Sequence, residues 1–296
     1  MKTRSEALNQ ILTIEAPANL YHYTSPEGLL GIIKNKSIWA TNVRYLNDSK
    51  ELFEASDIAK ELLDEIIEDR DYFDCRGLMQ EMKEQVGTAA SRYYVCSFSE
   101  DADSLSQWRA YCPPSGGYAL GIPSYQLASL AKERGWYFVK CVYKRGLAKS
   151  IIKEVIFSFL NDFRSKTDRP NSENSKLVTE TAINFQIYIA KIGGIIKNDA
   201  FQKEQEWRLI SPAIVESDQL VDFRAGKSGV VPFYSFKLES DEKPDLTFVG
   251  GTSLKLTVGP NAQPNDEAIL AVQYLFTRYL DISSGIIHSK IPYRSW

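Results

Sequence analysis

Three short stretches of this sequence bring together groups able to do chemistry. The first is Glu204-Gln205-Glu206-Trp207-Arg208. If it is extended, strand alternation puts Glu204 and Glu206 on one face. Carboxylates that close repel, so one pKa is expected to rise. Such a pair can divide labour, one steadying a cationic transition state while the other orients a nucleophile. The competing reading is a solvated strand edge with Arg208 pairing across it. The second stretch is Leu20-Tyr21-His22-Tyr23-Thr24. Histidine is the side chain whose ordinary pKa lies nearest neutral pH, although taken alone His22 reads first as a satisfied structural residue, and His288 more so. The third is Ser97-Phe98-Ser99, two hydroxyls on one strand face, followed by Gln107-Trp108-Arg109-Ala110-Tyr111. Trp108 and Tyr111 are three apart and share a helical face. An exposed pair could stack on a flat heterocycle, and a buried pair would be core. Arg109 suits a phosphate or carboxylate, or a surface ion pair.

The elements that must position these residues are legible as patterns. Leu20 to Thr24 is a strand, and Ser25-Pro26-Glu27 opens a helix as cap, first-turn proline and acidic first turn. Ser37 to Thr41 is a second strand, and Arg44 to Asp48 a loop. Apolar residues at helical spacing mark a helix from Ser49 to Asp69 and another from Leu78 to Ala90. Tyr93 to Ser99 is a strand, Asp101 to Asp103 an acidic turn, and Ser104 to Tyr111 a short helix broken by Pro113-Pro114-Ser115-Gly116-Gly117. Strands follow at Tyr118 to Ile122 and Trp136 to Tyr143. Residues about 147–197 look like a helical insertion between strand-rich halves. It holds one helix around Ile151 to Phe163, a loop at Arg169 to Ser172, and a second helix from about Leu177. Strands return at Trp207 to Ser211, Val230 to Leu238, Leu246 to Val249 and Leu254 to Val258, and Asn265 caps a helix through Leu280. Strands scattered among helices without regular alternation predict an α+β fold, read as a single catalytic-type domain over residues 1–296.

Composition narrows the function classes. The chain has 296 residues, a net charge of −3 and 44% hydrophobic residues, values that exclude wholesale disorder and disulfide scaffolds. The acidic balance argues against coating nucleic acid by bulk charge, though it leaves room for a local groove. Two histidines cannot make a three-histidine metal site, and none of Cys75, Cys96, Cys112 and Cys141 forms a CxxC pair, so no metal is expected. The cysteines read as buried small hydrophobes. No leader or membrane span is expected, and the cytoplasm is the simplest compartment.

In chain order, LYHYTS, IWATNVRYLND, YVCSFSEDADSLSQWRAY, FQKEQEWRLI, VVPFY, VGP and SKIPYR resemble a large bacterial family of unknown function, over Leu20 to Arg294. More distantly, the layout resembles the ADP-ribosyltransferase superfamily, in its histidine–tyrosine–glutamate branch. That resemblance implies a split β-sheet core with flanking helices. It implies NAD as a substrate rather than a resident cofactor, bound through His22, Tyr23, Thr24, Ser97, Ser99, Trp108, Arg109 and Tyr111. His22 would grip a ribose, and Tyr111 or Trp108 would stack on nicotinamide. Ser97-Phe98-Ser99 is similar to the Ser-x-Ser strand of the toxin branch, and Glu204-Gln205-Glu206 to its Glu-x-Glu. The roles so implied are Glu206 stabilising the ribosyl oxocarbenium ion and Glu204 orienting the acceptor, which is a protein or nucleic acid, or water in an NAD glycohydrolase. A bacterial toxin or antiphage effector is the implied setting, with a neutralising antitoxin or regulatory partner and no membrane. The alternative is a non-catalytic module that binds a nucleotide or a protein on the same scaffold.

Overall fold

Apolar, β-branched and aromatic runs become strands joined edge to edge, and amphipathic segments become helices that cover both faces of the resulting sheet. The computed structural model describes residues 4–46, 49–87, 92–114, 116–166, 175–215, 217–226, 229–240, 254–260, 265–280 and 285–292. In chain order the elements are α1 (Glu6–Leu12), β1 (Asn19–Thr24), α2 (Pro26–Asn35), β2 (Ser37–Asn42), α3 (Ser49–Ile67), α4 (Arg76–Gln85), β3 (Tyr94–Ser99), α5 (Leu105–Tyr111), β4 (Tyr118–Pro123) and α6 (Ser124–Glu133). There follow β5 (Tyr137–Lys140), α7 (Arg145–Lys166), α8 (Ser175–Gly193), β6 (Glu206–Ile210), β7 (Val221–Ala225), β8 (Val230–Lys237), β9 (Lys255–Val258), α9 (Asn265–Leu280) and β10 (Ile286–His288).

This is an α+β fold with a mixed sheet. Helices α1 and α6 and strands β7 and β10 were not expected from the sequence, because each is short or weakly patterned. Helix α4 stops at Gln85 rather than running to Ala90, and the strand expected at Leu246 to Val249 lies outside the described residues. One face of the sheet is covered by α1, α3, α4, α7 and α8, whose Ile58, Met79, Ile152, Phe159 and Phe185 meet Val95, Val139 and Ile210. Helices α7 and α8 fill the segment expected as an insertion. They pack on α3 and α4 within this same layer. Helices α2, α6 and α9 cover the other face, over Leu20, Cys96, Phe98, Leu209 and Phe236. Among the described residues no helix is long and apolar enough to cross a membrane.

The strand order is β10-β9-β4-β1-β3-β2-β8-β7, all antiparallel except β9 with β10, while β6 takes the second edge of β3 and β5 pairs with β6. Two strands share the first edge of β3. Val95 pairs with Thr41 of β2 at one end, and Ser99 pairs with Tyr21 of β1 at the other. Cys96, Ser97 and Phe98 have no strand partner between them on that edge, so the sheet splits there. A split exposes backbone groups that demand partners.

Candidate active site at the split of the sheet

His22 supplies one of those partners. Its ring reaches from β1 across the split, with Nδ1 3.0 Å from the Ser97 carbonyl oxygen. A carbonyl only accepts, so Nδ1 carries the proton. In the neutral ring Nε2 is then left as an acceptor. Burial holds the His22 pKa below its ordinary value, against the opposing pull of the Ser97 carbonyl, which keeps the ring neutral at pH 7. The strand leads directly into α2 through Ser25, whose Oγ accepts from the Gly28 N–H at 3.1 Å, with Pro26 in the first turn. A Cβ at Gly28 would lie 2.0 Å from Thr24 Oγ1, so a larger residue there would have to displace the Thr24 side chain.

Across the split, a cavity of about 620 Å³ is lined by His22, Tyr23, Thr24, Ser97, Tyr111, Glu204 and Glu206 together with residues of α2, β2 and β7. That volume suits a small organic ligand. Tyr111 is the stacking candidate. It lines the cavity and the residue is 39% exposed, whereas Trp108 is 3% exposed and packs edge-on against Tyr23 at 4.6 Å. Trp108 Nε1 donates to Asp103 at 2.8 Å, and the Tyr23 hydroxyl donates to the Asp101 carbonyl and accepts from Ser104 N–H. Trp108 and Tyr23 thus fasten the turn that presents α5, and Tyr111 is the ring α5 presents. Partial burial first, and the nearby Glu206 charge second, push the Tyr111 phenol up to about 12, so it stays protonated and able to donate.

The two glutamates arrive differently from the strand alternation that the sequence predicts. Glu204 ends a 3-10 turn, Asp199–Glu204, capped by Asn198. Gln205 then adopts the left-handed region at φ 45°, a conformation that costs a side-chain-bearing residue on the order of 1 kcal/mol. Glu206 begins β6. The kink turns both carboxylates onto one cation, Lys197, whose Nζ lies 2.7 Å from Glu204 Oε2 and also bonds Glu206 Oε2. Glu206 Oε1 accepts from Arg208 Nε at 2.7 Å, and Arg208 Nη1 donates to the Gly194 carbonyl at 2.9 Å. Arg208 is therefore a buried partner of Glu206 rather than a bridge across a solvated edge. Burial works to raise the Glu206 pKa, but the Arg208 and Lys197 charges outweigh it and hold the carboxyl down at about 2. The expected rise does not occur at Glu206, because the two carboxylates are separated by cations rather than facing one another. Tyr143 completes the site, its hydroxyl accepting the Glu206 N–H at 2.8 Å.

Of the residues singled out in the sequence, His22, Tyr23, Thr24, Ser97, Tyr111, Glu204 and Glu206 share the cavity, and Ser99, Trp108 and Arg109 do not line it. Ser99 is buried and donates to the Glu204 carbonyl at 2.8 Å, so it shapes the 3-10 turn. Arg109 is on the exposed side of α5. Sequence reasoning missed Lys197, Tyr143, Trp39, Tyr45, Phe201 and Arg224. A lysine placed directly after the apolar Ile195-Ile196 is a weak signal. What delivers Lys197 is a tertiary contact, the pairing of its N–H with the Val142 carbonyl at 3.0 Å. No curated protein and no solved structure matches the chain. Residues 107–209, from the helix that carries Tyr111 to the strand that carries Glu206, match the model of a family described as a protein of unknown function (DUF2971).

Proposed function

We propose that this protein consumes NAD as an ADP-ribosyltransferase. The observation that supports the reading is one cavity, at a split in the sheet, lined by His22, Tyr111, Glu204 and Glu206, which stand far apart in the chain. The neutral His22 offers Nε2 as acceptor for a ribose hydroxyl. Tyr111 stacks on the nicotinamide ring. Glu206 is ionised at every physiological pH and faces the positive charge that builds at the ribose as its bond to the nicotinamide nitrogen breaks. Nicotinamide leaves with the bonding electrons, the acceptor forms the new bond to the same carbon, and Glu204 takes the acceptor's proton. Lys197 must turn from Glu206 toward Glu204 for the carboxylate to meet the ribose. The biological setting in this reading is a cytoplasmic toxin or antiphage effector held in check by an antitoxin.

One observation favours the non-catalytic module instead: both Glu206 oxygens are engaged by Lys197 and Arg208. Labelled NAD incubated with the protein and cell extract separates the two. The transferase reading expects NAD loss and label on a macromolecule, or free ADP-ribose if water is the acceptor. Glu206→Gln is expected to slow either by about 10²–10³-fold. Wild-type protein that neither consumes NAD nor labels anything overturns the transferase. Under the module reading, NAD raises the melting temperature without being consumed.

A further inference from the structure

The same cavity extends to a second group of residues that the chemistry above does not use. On one face of the sheet, β2, β8 and β7 bring Trp39, Thr41, Phe233 and Arg224 together. Trp39 is 46% exposed and is backed by Phe233, with ring centroids 4.3 Å apart, so its outer face is a rigid aromatic platform. Tyr45 is 50% exposed, and both it and Trp39 line the cavity. Arg224 lines it too. Its Nη2 donates to Thr41 Oγ1 at 3.3 Å, while its Nε is buried with no hydrogen-bond partner. Among the described residues no carboxylate forms an ion pair with it. Its strand neighbour Asp222 accepts instead from the Phe223 N–H at 2.8 Å. A buried guanidinium N–H without an acceptor is costly, and an oxyanion that presents two oxygens side by side, such as a phosphate, matches the planar guanidinium fork.

We infer that Trp39, Thr41 and Arg224 form a subsite for a nucleoside monophosphate moiety, the base stacking on Trp39 and the phosphate accepting from Arg224 and the Thr41 hydroxyl. An aromatic face beside a cation is the general solution for holding a base and its phosphate without reading base identity. The subsite deepens the NAD reading by giving the cavity a second nucleotide-binding end. Its occupant is either the adenylate half of the dinucleotide or one nucleotide of a nucleic-acid acceptor.

Binding of AMP, adenosine and ribose 5-phosphate, followed by calorimetry, tests it directly. Wild-type protein is expected to prefer AMP over adenosine by about tenfold or more, the size of a charge-assisted contact. Arg224→Gln should abolish that preference and Arg224→Lys should retain most of it. Trp39→Ala should cut AMP binding toward that of ribose 5-phosphate. Competition with ADP-ribose identifies the source. Displacement of AMP by ADP-ribose assigns the subsite to the dinucleotide, and AMP bound alongside saturating ADP-ribose assigns it to an acceptor strand. An unchanged AMP-to-adenosine ratio in a folded Arg224→Gln protein, or no AMP binding by wild type, overturns the inference. Because AMP binding needs no turnover, the subsite can stand while NAD consumption fails, and the reverse.

Discussion

At one end of the cavity Lys197, Arg208, Glu204 and Glu206 are packed into a buried, charge-balanced cluster, and at the other Arg224 stands among exposed aromatic rings with a donor unused. The register of β3 separates them. Glu206 pairs with Ser99 and Thr41 with Val95, about 13 Å apart along the strand. The fold has treated the two ends in opposite ways. In the first, each charge already has its partner before any ligand arrives, so Glu206 meets a new cation only when Lys197 turns from it toward Glu204. In the second, hydrogen-bonding capacity is held open and apolar faces are left wet, which favours a ligand that brings both a ring and an anion.

The sharpest way to break that contrast is to remove one charge from each end. Lys197→Met strands Glu204 and leaves Glu206 with Arg208 alone, a loss expected to cost about 3–5 kcal/mol in denaturant unfolding. Arg224→Gln is expected to change stability by less than about 1 kcal/mol, since the arginine already lacks one partner. Equal losses from the two variants would mean that the ends are not organised differently.

Acid sensitivity follows next in size. Glu206 titrates at about 2 in the folded chain against an ordinary 4.5, so its folded-state pKa is depressed. The stability it contributes is present above 4.5 and disappears as pH falls from 4.5 to about 2. By linkage it is on the order of 3 kcal/mol. Glu206→Gln should flatten that limb of the pH–stability curve. A wild-type curve that is already flat between pH 5 and 2 would show that the cluster does not hold Glu206 ionised.

The contrast also separates what the sequence disclosed from what it hid. His22 and the β1–α2 junction were readable because local rules set them: a β-rich pentapeptide, a serine cap and a first-turn proline. The α+β class was readable because hydrophobic periods change along the chain. The aromatic pair on α5 was readable as a pair but not as a division of labour, since burial of Trp108 depends on Tyr23 and Asp103 in other segments. The glutamates were found for a partly wrong reason. Strand alternation predicts a shared face, and they converge instead through the left-handed Gln205 and through Lys197. Lys197 and Arg224 were invisible because no spacing in one dimension links them to Glu206 or Thr41; only strand register and the chain leaving α8 do.

His22 belongs to the junction of the two ends and gives the smallest effect. Its folded-state pKa is lowered by burial, so between that value and the ordinary 6.5 the unfolded chain binds a proton that the folded chain refuses. Stability therefore falls as pH drops below 6.5, the same direction as Glu206 but in a higher window. Protonation leaves the Nδ1–H bond to Ser97 intact and converts Nε2 from an acceptor to a donor. AMP binding at Arg224 should be indifferent to that conversion if AMP reaches only the aromatic end, whereas a ribose hydroxyl bound at Nε2 would keep its bond only by reversing it. Melting temperatures at pH 7.5 and 5.5 for wild type and His22→Gln, each with ADP-ribose or AMP, read both consequences. The variant should lose the pH dependence of the free protein, and it should lose more ADP-ribose stabilisation than AMP stabilisation. If both ligands lose equally, His22 positions the split itself rather than a ribose.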